Sequence, residues 1–585
     1  MESNIKHLEY DVVVVGGGIS GVCAALASAR NGAKTVIIQN RPVFGGNASS
    51  EVRMHICGAS VGGKYKDARE TGIVEEILLD NRAINPQNSF SVFDIVLWEK
   101  IKYQENLDSF LNTHMYEVNT ENNIINNIKC TQLASETELN ITGKYFIDAT
   151  GDGMLGAYAK AKFMIGREAR ETYNEINAPK MADNTTMGNT IMFVAKDMGR
   201  KMPFIKPHFA YQLKEEDLKL RNHDMIKGGY WWIEYGGHKL STISDNEEIR
   251  DELLKWAYGV WDHIKNGGDH GADNFALDWI CVVPGKRESR RLEGDYILKE
   301  SDLLSYKVFD DAIAYGGWPM DMHVPGGIEK SNSEPTKYIN LDKQYSIPYR
   351  TIYSKNIKNL FIAGRASSNS RMAFGSTRVM ATCGVIGQAA GSGAALSNRY
   401  NISPKELNEH IKDLQEILAK DDCYIMGYRF LSKNDMAKKA LIISSSNSEL
   451  VNNLNNGLTR NVGNEISYWR SETLDNEFLQ FVFSESKKVS EIIIRFESNL
   501  SKGIRISMSY NATVNQLPGI PREITKEYNI IFIKGDKVVK KIEIKDNYQR
   551  FVKYKFNEIE VDSIKLELIK THGAKVFTIY DVNVF

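Results

Sequence analysis

Three short runs hold side chains that could move protons or grip an anion. Arg53-Met54-His55-Ile56-Cys57 places a guanidinium, an imidazole and a thiol close together. Arg287-Glu288-Ser289-Arg290-Arg291 gathers three guanidinium forks, a geometry suited to binding a carboxylate or polarising a carbonyl. Asp321-Met322-His323 sets a histidine beside an acid, and an imidazole that titrates near neutrality suits proton removal from an alcohol. These runs make His55 or His323 the candidate base, and Arg287, Arg290 or Arg291 the candidate substrate clamp. Each also has a plainer reading: a packed histidine, a salt-bridged strand edge, a solvated loop. His114, His208, His223, His238, His263, His270, His410 and His572 have no partner identifiable from spacing. The six cysteines (Cys23, Cys57, Cys130, Cys281, Cys383, Cys423) form no CxxC pair and read as reduced thiols. No metal constellation is visible, and none is expected.

Proton chemistry of this kind needs a partner group, and the N-terminus supplies the place for one. Gly16-Gly17-Gly18-Ile19-Ser20-Gly21 follows G-x-G-x-x-G. A buried strand, Tyr10 to Val15, precedes it, and an alanine-rich helix, Val22 to Arg30, follows. Gly16 permits a tight turn, Gly18 lets backbone approach a diphosphate, and Gly21 lets helix and strand pack closely. Ile19 and Ser20 would lend their N–H groups to the phosphates at the helix N-terminus. The second strand, Lys34 to Gln39, ends in Gln39-Asn40-Arg41, where an acid would ordinarily hold ribose hydroxyls. Glutamine can still donate to and accept from a diol.

Strand-and-glycine texture recurs at Lys144 to Thr150, before Gly151-Asp152-Gly153, and at Asn359 to Gly364, before a small-residue helix from about Met380 to Leu396. These two stretches, with Tyr10 to Gly46, resemble the FAD-dependent oxidoreductases of the glutathione-reductase-like superfamily. Glu51-Val52-Arg53-Met54-His55, Pro284 to Arg291 and Gly316-Gly317-Trp318-Pro319-Met320-Asp321 resemble a bacterial family within it that often carries a C-terminal sandwich. The resemblance covers roughly residues 8–440. It implies FAD in an extended pose, with Gly45, Gly46 and Arg53 near the pyrophosphate and flavin and Thr150, Gly151 and Asp152 closing the adenosine side. Gly364 and Arg365 would lie near the ribityl chain, and Thr377 and Arg378 before a helix whose N-terminus stabilises charge on a reduced flavin. The first reading of His55 is packing or a hydrogen bond to the flavin edge; were the flavin covalent, His55 or Cys57 would be its attachment point. No second G-x-G-x-x-G has strand and helix flanks, so a nicotinamide domain is not expected, and the electron acceptor stays unknown.

At 585 residues the chain requires several domains. The expected fold is an α/β FAD-binding domain of Rossmann-like, glutathione-reductase type, with an inserted α+β substrate domain and a C-terminal all-β sandwich. The divisions are 1–162 and 346–400 for the FAD-binding domain, 163–345 for the tryptophan-rich insert, 401–441 for a helical connector and 442–585 for the sandwich. The sandwich is read from period-two segments, among them Phe478 to Phe483, Val489 to Phe496, Ile504 to Tyr510, Arg550 to Phe556 and Ser563 to Ile569. It resembles galactose-binding, discoidin-type modules, with Trp469 as the first candidate for stacking on a sugar.

Net charge is −1, from 73 basic and 74 acidic residues, which gives no reason to expect nucleic acid. No apolar run is long enough to span a bilayer, and MESNIKHLEY lacks the form of a secretory signal, so a cytoplasmic protein, possible as an oligomer, is expected. The leading function is FAD-dependent hydride abstraction from an alcohol or other C–H donor, a small molecule or a carbohydrate. The alternatives are reduction of an activated C=C bond in a carboxylate, and a glycan-binding protein with a vestigial flavin domain.

Overall fold

A computed structural model describes residues 5–60, 65–268, 270–508 and 516–585. These fall into two compact units. The first takes in Met1–Ala59, Ser89–Leu414 and Arg505–Val514. Its centre is a sheet built from β1 (Ile5–Val15), β2 (Thr35–Ile38), β3 (Leu107–Phe110), β4 (Thr113–Glu121), β5 (Ile124–Gln132) and β6 (Thr137–Asp148). β3, β2, β1 and β6 lie side by side and parallel, with α1 (Ile19–Arg30) crossing from β1 to β2. The outer edge of β6 is shared. Its first half pairs antiparallel with β5, which continues into β4, and its last residues, Phe146 to Asp148, pair parallel with a strand from far along the chain.

Between these parts, residues 163–345 supply most of a further apolar core around Trp261, Phe193, Tyr230 and Trp232, which Val52 joins from the early stretch. Trp261 sits on α2 (Asn246–Asn266). The segment nevertheless belongs to the same compact unit as the sheet. It also contributes a hairpin of β7 (Met320–His323) and β8 (Thr336–Ile339). The late strand that completes the sheet is β9 (Leu360–Ile362), followed by α3 (Arg371–Thr377) and α4 (Met380–Tyr400). α4 packs on α1 so closely that a Cβ at Gly387 would stand 2.1 Å from Ser20 O, and one at Gly391 2.0 Å from Ala24 O. Gly391 thus serves helix–helix packing.

The second unit is Ser60–Asn88, Gln415–Ile504 and Asn515–Phe585. Its sheet is antiparallel throughout: β10 (Phe478–Phe496), β11 (Thr525–Lys534), β12 (Lys537–Ile544), β13 (Phe551–Thr571) and β14 (Thr578–Val584). β10 and β13 each run through bulges, which join segments that the sequence pattern separates. Three expectations change here. Residues 60–88, with their helix Ile73–Ile84, belong to this unit and not to the nucleotide fold. The cause is a buried Arg69, which pairs with Glu75 at 2.8 Å and donates to the Ser498 and Asn499 carbonyls, each at 2.9 Å. Residues 504–508 form no strand and from Arg505 the chain returns to the first unit, while Tyr510 lies outside the described residues. Trp469 is fully buried in the apolar core, donating its indole N–H to Ser446 O at 3.0 Å, so it offers no face to a sugar.

Candidate functional site

The C-terminal ends of β1, β6 and β9 open on a cavity of about 530 Å³, where open α/β sheets place their ligands. Gly18 is the N-cap of α1 with no side chain capping it, and no acid stands in the first turn. The helix therefore presents unpaired N–H groups and an uncompensated positive end. The glycines divide the work. A Cβ on Gly16 (φ +108°) would lie 2.3 Å from Ala149 O and one on Gly21 1.9 Å from Gly16 O, whereas one on Gly18 would meet nothing within 4 Å. Gly16 and Gly21 are packing requirements; Gly18 keeps space open for a ligand. Gly45 (φ +107°) and Gly46 (φ +57°) fold over this turn, with Gly45 N donating to Gly17 O at 2.8 Å.

Gln39 takes a different part from the one expected. Its Oε1 accepts from Gly17 N at 3.0 Å and its Nε2 donates to Val43 O at 3.3 Å, so the amide braces the glycine turn. Asn40 and Arg41 line the cavity beside it, Arg41 held by Glu51 at 3.3 Å. Thr150, Gly151 and Asp152 form another wall. Asp152 accepts from Arg365 at 2.8 Å and from Lys286 at 2.6 Å. Burial alone would raise this carboxyl, but the two cations hold it below the ordinary carboxylate range. The pair stitches the late stretch of Gly364 and Arg365 to the early one. At the far end of the lining, Arg378, Val379 and Met380 bring up the N-terminus of α4, again without a side-chain cap. The Ser20 hydroxyl, buried at the wall, has no protein partner. An uncapped helix end, a gap at Gly18 and an orphan hydroxyl fit a dinucleotide.

A polar constellation shares the cavity. His323 lies between two carboxylates, Nδ1 at 2.6 Å from Glu234 and Nε2 at 3.3 Å from Asp321. Arg378 pairs with Asp321 at 2.8 Å and Arg287 with Glu234 at 3.4 Å. Burial would raise both acids. Arg287 and then His323 bring Glu234 below its ordinary value, and His323 and then Arg378 do the same to Asp321. Trp231, Trp318 and Tyr338 complete this wall, Trp231 meeting His323 edge-on at 5.5 Å between ring centres. The Trp318 indole N–H and the Arg378 Nε–H have no protein partner. His55 and Cys57 also line the cavity. Burial, reinforced by the nearby Arg505 guanidinium, pushes the His55 pKa down to about 3, so the imidazole is neutral at ordinary pH.

Several proposed residues stand elsewhere. Arg291 is fully buried in a short strand, paired with Glu168 at 2.9 Å and donating to Gly166 O at 2.6 Å. Arg290 donates to Asp152 O at 3.2 Å and covers Phe163. Of the three arginines only Arg287 lines the cavity. Arg287 itself donates to Trp231 O at 2.8 Å, which makes it a brace for the wall. Arg53, at φ 59°, stacks on Trp279 at 4.1 Å, and Thr377 is likewise outside the lining. Lys286, Trp231, Trp318, Glu234, Tyr338 and Arg505 were not anticipated. Lys286 and Trp318 lay inside motif runs quoted above. Tyr338 is found only through its pairing opposite Asp321 in the hairpin.

Residues 11–418 match the family described as FAD dependent oxidoreductase. The chain belongs to that family. FAD is the cofactor of that family, and the uncapped helix end, the space at Gly18 and the Ser20 hydroxyl suit such a dinucleotide. Among curated proteins it is similar to the tRNA uridine 5-carboxymethylaminomethyl modification enzyme MnmG of Buchnera aphidicola, 23% identical over 62% of this chain and 58% of that protein. The Mycoplasma mycoides enzyme of the same name is 31% identical over 36% of this chain and 33% of its own length. A 3-oxosteroid 1-dehydrogenase of Mycolicibacterium smegmatis is 49% identical over 7% of each chain. The chain thus spans little more than half the length of the first of these relatives. Solved structures with some likeness include a Streptococcus pneumoniae fucose binding module, 10% identical over 26% of this chain and 97% of its own, with a TM-score of 0.20. The family 32 carbohydrate-binding module of C. perfringens NanJ is 15% identical over 26% of this chain and 95% of its own, at 0.19. Scores this low assign no ligand. Among the described residues, no single helix is long and apolar enough to cross a membrane.

Proposed function

We propose that this FAD-dependent oxidoreductase removes hydride from the carbinol carbon of a small polar alcohol, with sugars and sugar acids as the first class to test. The observation that carries the reading is that His323, braced between two carboxylates, shares one cavity with the glycine cradle. FAD, when bound, supplies the hydride acceptor. His323 takes the hydroxyl proton. Between two carboxylates that can only accept, Nδ1 donates to Glu234 at 2.6 Å and Nε2 to Asp321 at 3.3 Å; the reading requires Nε2 to give up its proton and its looser contact to take that of the substrate hydroxyl. Asp321, held by Arg378, then stabilises the imidazolium. Trp231, Trp318 and Tyr338 give the apolar face of a sugar ring surfaces to stack on. The second unit is read as a galactose-binding-like sandwich, on the ground that its antiparallel strands close around one apolar core.

The unfilled donors Trp318 Nε1 and Arg378 Nε favour one other reading, reduction of a C=C bond in an unsaturated carboxylate. Anaerobic titration separates the two. Bleaching of the flavin by a sugar or hydroxy acid supports alcohol oxidation. Reoxidation of dithionite-reduced enzyme by fumarate-like acids, with no bleaching by alcohols, supports reduction. A protein that binds sugars and never changes flavin colour overturns both. Acid precipitation of the same sample tests attachment at His55 or Cys57, since a covalent flavin stays in the pellet.

A further inference from the structure

Outside the lining of the cavity, Glu215, His223, His263 and His270 turn their ligand atoms toward one another, all within 4.8 Å. Glu215 Oε2 lies 3.0 Å from His263 Nε2, 3.3 Å from His223 Nε2 and 3.9 Å from His270 Nε2, and the last two histidines, His263 and His270, have their Nε2 atoms 3.3 Å apart. The three imidazole rings stand at nearly equal spacing, 5.1, 5.0 and 4.9 Å between centres. Four ligands at about 2.0–2.1 Å from a tetrahedral ion would stand about 3.3 Å apart, against 3.0–3.9 Å for these contacts and at most 4.8 Å for any pair.

From this convergence we infer a structural zinc site, held by Glu215 Oε2 and the Nε2 atoms of His223, His263 and His270. The ligand set is three imidazoles and one carboxylate, all from the protein, with no position left for water, which is the pattern of a structural centre. His223 carries the support such ligands have: its Nδ1–H donates to Arg221 O at 2.6 Å, which fixes the tautomer and leaves the Nε2 lone pair facing the cluster. Arg221 is itself buried, donating to Ser333 O at 2.6 Å and Gly327 O at 2.9 Å. Without a cation, the His223 Nε2 lone pair would face the Glu215 carboxylate at 3.3 Å with no proton between them. His223 and His263 are buried while Glu215 reaches the surface, so an ion has a way in.

The need for a staple is visible in the chain. Between residue 198 and the strand at Glu234–Tyr235, the described segment has one 3-10 turn, Glu215–Leu218, and no helix or strand of any length. Zinc would tie this irregular stretch, through Glu215 and His223, to the last turn of α2 at His263 and to the loop at His270. The same stretch leads into Trp231 at the cavity wall. No spacing rule revealed the site, because its ligands come from a loop, a helix end and a second loop. The expectation of no metal is revised accordingly.

Elemental analysis of the purified flavoprotein should find one zinc per chain, and a His223→Ala, His263→Ala double variant should carry none while retaining its flavin. Should that variant fail to fold, the wild-type protein decides alone. Stripping with dipicolinate should lower its Tm, zinc should restore it, and cobalt should give tetrahedral bands at wavelengths beyond the flavin's. A wild-type protein that is metal-free, takes up no zinc and shows no zinc-dependent Tm would overturn the inference. So would undiminished zinc in the folded double variant.

Discussion

At the scale of residues, the three glycines of the turn make separable predictions. Gly18 faces open space, so Gly18→Val should fold with a Tm near wild type yet place a branched side chain where the diphosphate must lie. The expected loss is at least tenfold in FAD affinity, read as the flavin-to-protein ratio after gel filtration. Gly21→Val should instead fail as a fold, because its Cβ has no room. His323→Asn keeps a polar side chain but removes the proton acceptor. It should lower kcat by about 10²–10⁴-fold with flavin content unchanged, and flavin bleaching at the wild-type rate would refute the assigned role. His55 bears on stability instead. Its folded pKa is about 3, against about 6.5 in an unfolded chain. As pH falls the unfolded state takes the proton first, so folding loses stability from about pH 6.5 downward, by at most about 1.4 kcal/mol per pH unit. His55→Gln should flatten that portion of the profile. Urea midpoints of both proteins at pH 7.5 and 5.0 would show it, and parallel slopes would exclude it.

At the scale of elements, the second unit depends on buried charge as well as apolar packing. Arg495 and Arg550 are both wholly buried and share Asp422, at 3.3 Å and 3.0 Å. Arg495 reaches Asp581 on β14 at 3.2 Å, and Arg550 donates to Phe496 O at the end of β10 at 2.8 Å. Removing one partner of such a set leaves an uncompensated buried charge. Arg550→Met should therefore cost about 3–5 kcal/mol in urea unfolding of the second unit. A cost within the ±0.5 kcal/mol typical of surface changes would show that water reaches the set. The alternation of β10 and β13 was readable in sequence; their bulges and this charge network were not, because both depend on which strands become neighbours.

At the scale of the molecule, the chain does not divide where its texture changes. A protein ending at residue 441 would follow the apparent boundary. It would leave the helix Ile73–Ile84, with Ile73, Val74, Ile77 and Leu78 buried in the native unit, without the rest of that unit. It would also take from the first unit the segment beginning at Arg505, whose guanidinium stands 3.9 Å from Cys57 Sγ. Exposed apolar surface of this kind drives association. The truncated protein should elute as aggregate in size-exclusion chromatography and hold substoichiometric FAD; a monodisperse yellow product would contradict the division.

The sequence alone determined the cradle, because a glycine turn between a buried strand and a helix answers to local sterics and to the helix dipole, both written in adjacent residues. It also placed β1, β6, β9 and α4, whose apolar and small-residue runs allow few other forms. Tertiary structure decided what the polar residues do. Gln39 became a brace, Arg290 and Arg291 left the cavity, and Glu234 and Tyr338 entered it beside His323. The four ligands from Glu215 to His270 met across a fold that no periodicity describes. A charge or a lone pair acts at contact distance, and contact between residues far apart along the chain is set by strand pairing and packing.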